Sequence, residues 1–316
     1  MAEVTTPVYL ITGFLESGKT TFLQFTLEQD YFRIDGKTLL ILCEEGEAEY
    51  DLKKLAMMNT VVEVIESEED FTTERLNTLD ILHMPERVLI EYNGMWLVSK
   101  LEQMELPKGW GVEQQITMAD ASTYQVYITN MKSQFMDMVR NTDMVIFNRC
   151  KKTDPLAQYR RGIKVANQRA EVVFEDESGE IGDIFKDEMP FDINAPVIDI
   201  LPEDYGIWFV DAMDNPENYQ DKVVHFKGRA LKPRGLGSKF FVPGRTAMTC
   251  CADDTTFLGF VCKSSYTPKL KDGQWVDVTA RAQVEDRKEY QGKGLVLYAE
   301  NVEPCEPLPE EMVYFN

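Results

Sequence analysis

Short apolar runs recur through the first 175 residues, several of them followed by a helix-compatible stretch. Val8–Thr12, Thr38–Cys43, Val61–Ile65, Arg87–Tyr92, Gln115–Ala119, Met144–Asn148 and Glu171–Phe174 are four to six residues long and dense in Val, Ile and Leu. Such runs predict strands. Between them, Thr20–Leu27, Phe71–Leu82, Tyr124–Arg140 and Pro155–Arg169 carry the spacing of amphipathic helices. Strands alternating with helices predict βαβ units around a mostly parallel sheet, an α/β fold whose ligands gather at the carboxyl ends of the strands.

The texture changes near Glu175. Residues 175–204 are acidic and contain Gly and Pro, and they read as a connector. Beyond Asp204 the runs are short and split by turns: Val223–Gly228, Gly237–Val242, Ala247–Cys251, Thr256–Cys262, Trp275–Arg281 and Gly294–Val302. Five or six such strands predict a small closed barrel or a sandwich. The expected division is a first domain over 1–204, connector included, and an all-β domain over 205–316.

Length and charge support that division. A chain of 316 residues exceeds one comfortable core, and 44% apolar residues suffice to build two. The net charge of −21 lies almost wholly in residues 1–205, which hold 38 acidic and 19 basic side chains, against 16 and 14 in the remainder. So acidic a surface suits solubility or the handling of cations, and excludes nucleic acid as an expected partner, because binding it releases counterions only to a basic surface. The basic segment Lys227–Lys239 reads as a solvated hairpin. No run approaches the roughly 18 apolar residues of a membrane span, and the first strand follows the N-terminus too closely for a signal peptide. Six cysteines (43, 150, 250, 251, 262 and 305) lack the spacing of a disulfide framework, so the expected location is the cytoplasm.

The first strand runs into Gly13-Phe14-Leu15-Glu16-Ser17-Gly18-Lys19-Thr20, a G-x-x-x-x-G-K-[ST] loop that opens a helix at Thr21. Glycines at 13 and 18 let successive backbone N–H groups face phosphate oxygens. Lys19 supplies a point charge for the β- and γ-phosphates, the Thr20 hydroxyl can ligate Mg²⁺, and the helix begins with its positive dipole end toward the anion. This is a nucleoside triphosphate site. Glu91-Tyr92-Asn93-Gly94 ends a core strand, where a carboxylate can hold the metal and a glycine N–H can sense the γ-phosphate; a strand-end glutamate beside a glycine turn has the same spacing. Glu44-Glu45-Gly46-Glu47, with Asp51 beyond, supplies either metal and water ligands or a solvated acidic loop.

The loop, read on as Gly13 to Thr21, resembles the GFLGSGKTT loop of the CobW-like GTPases, relatives of the UreG and HypB metallochaperones. Glu91 to Gly94 resembles that family's E-x-x-G segment, and Gln115 to Ala121 the strand ending in Asp-Ala after it. The resemblance spans roughly residues 6–175. It implies a GTP-hydrolysing switch, often dimeric, that couples nucleotide state to delivery of a metal ion or cofactor. Lys19, Glu44 and Glu91 are then the expected catalytic residues, with Glu44 or its neighbours positioning water. Gly13, Glu16, Ser17, Gly18, Lys19, Thr20, Thr21, Asn148 and Arg149 are the expected nucleotide contacts, and Thr20 and Glu91 the expected Mg²⁺ ligands.

Two departures qualify the resemblance. The family's Cys-x-Cys-Cys motif has no counterpart in Glu63–Asp70, whose Glu66, Glu68, Glu69 and Asp70 suit a hard ion or the start of a helix. The guanine-reading Asn-Lys-x-Asp becomes Asn148-Arg149-Cys150-Lys151, with Asp154 three positions late. Asn148 can still bond a base edge and the Arg149 stem can cover the ring, so guanine is expected with relaxed selection.

In the second half, Val242 to Asp254 contains Arg245-Thr246-Ala247-Met248-Thr249-Cys250-Cys251-Ala252-Asp253-Asp254. Adjacent strand cysteines point to opposite faces. Cys250 and Cys251, with Asp253, Asp254 and Cys262, form either a site for Zn²⁺ or another transition metal or an ordinary pair of strand cysteines. The segment, together with Asn215 to Tyr219, Trp275 to Val278 and Val313 to Phe315, resembles the C-terminal domain of YcgQ-like proteins over about 205–316. That resemblance implies an OB-like barrel and a link to a membrane permease. The expected function is a GTPase switch acting on a metal-receiving protein or a permease. The alternatives are a nucleotide-gated binding module with negligible turnover, and a P-loop ATPase or small-molecule kinase.

Overall fold

Seven strands of the first 176 residues lie side by side in the order Thr60–Val64 (β3), Thr38–Leu42 (β2), Arg87–Glu91 (β4), Thr6–Thr12 (β1), Trp110–Asp120 (β5), Met144–Asn148 (β6) and Glu171–Asp176 (β7), every neighbouring pair parallel. The computed structural model describes residues 4–44, 46, 48–182, 189–249 and 254–314. The chain forms two compact units, Met1–Leu156 with Ala166–Asp183, and Ala157–Val165 with Ile184–Asn316.

In chain order the first unit consists of β1 (Thr6–Thr12), α1 (Lys19–Glu28), β2 (Thr38–Leu42), α2 (Leu52–Met57), β3 (Thr60–Val64), α3 (Thr73–His83), β4 (Arg87–Glu91), α4 (Val98–Gln103), β5 (Trp110–Asp120), α5 (Ala121–Asn130), α6 (Lys132–Val139) and β6 (Met144–Asn148). After α7 (Leu156–Ala166), most of which belongs to the second unit, the sheet is completed by β7 (Glu171–Asp176), on which the two-residue β8 (Gly179–Glu180) folds back antiparallel. Every predicted strand of this half is present. The central ones are buried on both faces, with Leu39, Leu40 and Ile41 of β2 and Val88, Leu89 and Ile90 of β4 wholly inaccessible, which is why they read as unbroken apolar runs rather than alternating ones.

The single helix predicted over Tyr124–Arg140 is two. Asp120 caps the first by accepting from the Ser122 N–H at 2.8 Å, and the chain leaves helical geometry at Met131 (φ −133°, ψ 35°) before α6 begins. The apolar pattern runs through the break because Tyr124 of α5 and Phe135, Met136, Met138 and Val139 of α6 are all buried. The hydrophobic pattern assigns no element to Tyr205–Asp214, where the structure has α8, with Tyr205, Trp208, Phe209 and Val210 all buried. A helix apolar on most of its circumference shows no polar stripe to mark its period.

The second unit continues with β9 (Ile198–Asp199), β10 (Val223–Leu231), β11 (Phe240–Met248), β12 (Thr255–Gly259), β13 (Val261–Lys263), β14 (Gln274–Arg287), β15 (Gly292–Pro304) and β16 (Met312–Val313). Five of these strands pair into a ring, β10-β11-β13-β15-β14 and back to β10; every contact is antiparallel except the parallel β13–β15. β12 and β16 flank β11, and β9 pairs with β10. The ring encloses a core of Phe226, Phe241, Leu258, Val278 and Leu297 against Tyr205 and Trp208. Gly228 and Gly244 allow the strands to approach: a Cβ on Gly228 would press on the Gly244 backbone, and one on Gly244 on the Leu258 carbonyl oxygen.

Candidate nucleotide site

The parallel register gathers the predicted site at one sheet edge. Ile11 of β1 pairs with Glu91 of β4, Leu42 of β2 with the same Glu91, Thr12 with Thr117 of β5, and Asp120 with Asn148 of β6. Each of these strands ends at or just beyond those pairs, so Gly13, Glu44, Glu91, Asp120 and Asn148 emerge together, as expected for a ligand site in an open α/β sheet.

The loop Gly13–Gly18 turns through positions that only glycine takes without strain, Gly13 at φ 139° and Gly18 at φ 95°. A Cβ on Gly13 would meet the Met118 carbonyl oxygen, and one on Gly18 the Asn148 amide nitrogen. Glu16 between them is also left-handed, at φ 62°, where the loop it resembles has glycine. The first N–H groups of α1 have no intrahelical acceptor, and no side chain caps them from Gly18, which leaves these donors for an anion. Ser17 Oγ, buried with no hydrogen-bond partner, points to the same unmet demand.

Lys19 is buried, its ammonium donating to the Gly13 carbonyl at 2.9 Å and the Phe14 carbonyl at 3.0 Å and forming an ion pair with Glu44. The other oxygen of Glu44 accepts from the Gly94 N–H at 3.3 Å. Thr20 Oγ1 donates to Glu91 Oε1 at 2.7 Å, and the Tyr50 hydroxyl donates to Glu91 Oε2 at 2.5 Å. Burial pushes the Glu91 carboxyl above its usual range, against the pull of those two hydroxyls and of Lys19. Burial and the neighbouring Glu91 also push the Tyr50 phenol up, so it stays a donor. Thr20 and Glu91 form a pair of hard oxygen donors, the chemistry that suits Mg²⁺.

Gly94 must be glycine here, since a Cβ would run into the Gly13 carbonyl and Phe14 Cα. Phe14 stacks on Tyr127 with ring centroids 4.2 Å apart, which fixes the loop from its other side. Thr21, next in the motif, is exposed.

At the far side of the loop, Asn148 donates its amide to the Ser17 carbonyl at 2.7 Å, leaving Oδ1 buried and without a hydrogen-bond partner. Arg149 (φ 54°) bonds the Glu16 carbonyl at 2.9 Å and Asp120 at 2.5 Å. The late Asp154 accepts the Lys151 N–H at 2.7 Å and caps its own turn. The amide and guanidinium therefore brace the loop, and Lys151, a donor, occupies the place where the family pattern has an acceptor.

Two of the remaining acidic candidates have structural partners. Asp51 accepts the N–H groups of Lys53 and Lys54 as the cap of α2, and Glu68 pairs with Lys100 at 2.8 Å. Glu45, Glu47, Cys250, Cys251 and Asp253 lie outside the described residues. Cys262 is a free thiol in the core of the strand ring, its ionisation pushed up by burial. Among the described residues no group of three His, Cys, Asp or Glu side chains is placed to hold a metal ion, and no helix is long and apolar enough to cross a membrane. Tyr50 was not a sequence candidate: it follows an acidic run, and only the fold brings it to Glu91, 41 positions later.

Comparison with known families agrees with this geometry. The family model described as "CobW/HypB/UreG, nucleotide-binding domain" matches residues 7–174, and one described as "DUF1980 C-terminal domain" matches residues 182–315. No curated protein matches the chain. Among solved structures, the hydrogenase maturation factor HypB from Archaeoglobus fulgidus is 16% identical, covering 56% of this chain and 85% of that one, with a TM-score of 0.43. The Zn(II)-bound YjiA GTPase from E. coli is 18% identical, covering 75% of each chain, with a TM-score of 0.42. HypB from Helicobacter pylori in complex with nickel is 13% identical, covering 55% of this chain and 80% of that one, with a TM-score of 0.36. None is close enough to transfer a residue's role.

Proposed function

The chain belongs to the CobW/HypB/UreG nucleotide-binding family over residues 7–174, and on that premise we propose that it is a GTP-binding and GTP-hydrolysing switch. The observation that carries this reading is the 2.7 Å bond from Thr20 to Glu91 beside the buried Lys19. It brings two oxygens suited to a metal and one ammonium suited to a phosphate together at the mouth of the glycine loop. Mg²⁺, held by Thr20 and Glu91, would supply charge neutralisation for the transferring phosphoryl group. Lys19 and the backbone N–H groups of the loop and of Gly94 would bind the phosphate oxygens. Glu44, once off Lys19, is the acid within reach to orient water.

GTP is the expected nucleotide, with weak selection of the base, because Asn148 and Arg149 brace the loop and Lys151 offers a donor where guanine needs an acceptor. In this reading residues 1–204 process the nucleotide and 205–316 pass on its state. The strand order of the ring, with its one parallel pair, suits an OB-like barrel. The output is a metal-receiving protein or a membrane permease, and the working form is a cytoplasmic homodimer. The metal carried is Zn²⁺ or another transition metal, for which Cys250 and Cys251 are the candidate ligands.

Metal analysis of the purified chain, prepared without chelator, tests the cargo. The proposal expects stoichiometric metal that Cys250→Ala removes; no bound metal in the wild type refutes that part. Competition between GTP and ATP tests the nucleotide, and a clear preference for ATP refutes guanine.

A further inference from the structure

We propose that the Glu44 carboxylate is a built-in stand-in for the terminal phosphate, holding the donors that a triphosphate must take over. The inference rests on reading Gly13–Thr20 as a triphosphate site and adds a regulatory role for Glu44. Two groups at this edge are suited to a terminal phosphate: the Lys19 ammonium and the Gly94 N–H. Glu44 engages both, one carboxylate oxygen against Lys19 Nζ and the other accepting from Gly94 N–H at 3.3 Å. An ammonium has three protons. Two go to the Gly13 and Phe14 carbonyls at 2.9 and 3.0 Å, and the charge of the group is paired with Glu44. The Gly94 amide has one proton and serves one acceptor. Glu44 and a terminal phosphate are therefore mutually exclusive at these donors.

The exclusion extends along the chain. Six residues on, Tyr50 donates to Glu91 Oε2 at 2.5 Å, using a carboxylate oxygen that a metal at Thr20 and Glu91 would draw on. Glu44 and Tyr50, on the segment between β2 and α2, thus engage both halves of the site, Glu44 as an anion where a phosphate would bind and Tyr50 as a donor where a cation would bind. A third tie, from Gln24 Nε2 to the Glu49 carbonyl at 2.7 Å, anchors the same segment to α1. A triphosphate would take Lys19 and the Gly94 N–H from Glu44, and Thr20 and Glu91 would hold its metal beside the Tyr50 hydroxyl. A diphosphate lacks the terminal group and leaves Glu44 on the Gly94 N–H. The position of this segment consequently reports how many phosphates are bound, and differential affinity of that kind is what shifts a two-state element.

The test compares full-length wild type with Glu44→Gln in equilibrium titrations with GDP and a non-hydrolysable GTP analogue, each in Mg²⁺. Removing the competing charge is expected to tighten the triphosphate analogue by about tenfold, within the usual range of coupling between sites, and to tighten GDP by a clearly smaller factor, because a diphosphate competes with Glu44 for Lys19 but not for the Gly94 N–H. Glu44→Asp, one methylene too short to span both donors, should act in the same direction and serves if Glu44→Gln fails to fold. Unchanged or weaker triphosphate binding in the folded variants, or equal tightening of both nucleotides, overturns the proposal while leaving the triphosphate site standing. Wild type that binds neither nucleotide refutes the triphosphate reading itself, and the proposal with it.

Discussion

The Thr20 hydroxyl donates to the Glu91 carboxylate across 2.7 Å, linking the first turn of α1 to the end of β4, 71 residues apart in sequence. The bond exists because Ile11 and Glu91 are register partners in adjacent parallel strands, so the start of the helix that follows β1 meets the residue that closes β4. Replacing Thr20 with Val keeps the shape and removes the donor. It is expected to cost about 1 kcal/mol of stability, the usual net worth of one hydrogen bond, and to abolish the Mg²⁺ dependence of nucleotide binding. Thermal unfolding and titrations with and without Mg²⁺ read the two effects separately; unaltered Mg²⁺ dependence would remove Thr20 from the metal site.

Glu91 gives a pH dependence with a definite sign. Its carboxyl titrates above the usual range because of burial, against the Tyr50, Thr20 and Lys19 contacts. A raised folded-state pKa means that the protonated form is favoured by folding, so its contribution to stability is full at low pH and is lost as pH rises through the folded value. Glu91→Gln mimics the protonated form. The melting temperature of Glu91→Gln relative to wild type is therefore expected to rise as pH goes from 4 to 8, and a flat difference would contradict the buried-carboxylate account.

His225 in the strand ring offers a second, independent titration. Burial opposes its charge, but hydrogen bonds to Asp199 at 2.7 Å and Asp277 at 2.6 Å prevail and raise its pKa. The stabilisation is complete below about pH 6.5, the ordinary histidine value, and disappears as pH rises through the folded pKa. His225→Gln should lower the melting temperature most at pH 5.5 and progressively less toward pH 9. A penalty that grows with pH would show that His225 is neutral in the folded chain.

Gly94→Ala places a methyl group against the Gly13 carbonyl and Phe14 Cα. Since backbone rather than a flexible side chain must yield, the substitution is expected to cost about 1–3 kcal/mol, as overpacking usually does, and to weaken nucleotide binding by at least about tenfold. Unfolding and titration check both, and native affinity in the variant would mean that the loop and the β4 end are not in contact.

Base selection should be weak. With Asp154 capping the Lys151 N–H at 2.7 Å, the carboxylate that discriminates guanine through its amino group is engaged elsewhere. GTP and ITP are expected to compete within about threefold of each other, less than one hydrogen bond commonly confers. Asp154→Asn should leave that ratio unaltered; a preference for GTP of a hundredfold would place an acceptor where none is seen.

Most of the parallel sheet was legible because its strands are buried on both faces and its loop motif is local. Gly13 to Thr20 and Glu91 to Gly94 are contiguous in sequence, so their chemistry can be read without a fold. What escaped depends on distance or context. Tyr50 meets Glu91 only through the β2–β4 pairing, and Glu44 could be read as an acidic loop or as a ligand but not as a partner of Lys19. Helix α8 lacks a polar stripe, and the break between α5 and α6 at Met131 is invisible to hydrophobic spacing because both sides are buried. Asp154, three positions late, could be seen to miss the base-reading place; that it caps its own turn could not.

The central claim, a hydrolytic triphosphate site at Gly13–Thr20, is tested most directly by single-turnover phosphate release from GTP with excess protein. The account predicts release by wild type in Mg²⁺, little or none when Mg²⁺ is withheld, and loss of release in Lys19→Met and Glu91→Gln even at saturating protein. Tight GTP binding with no phosphate released over hours, or equal release from wild type and Lys19→Met, would contradict it.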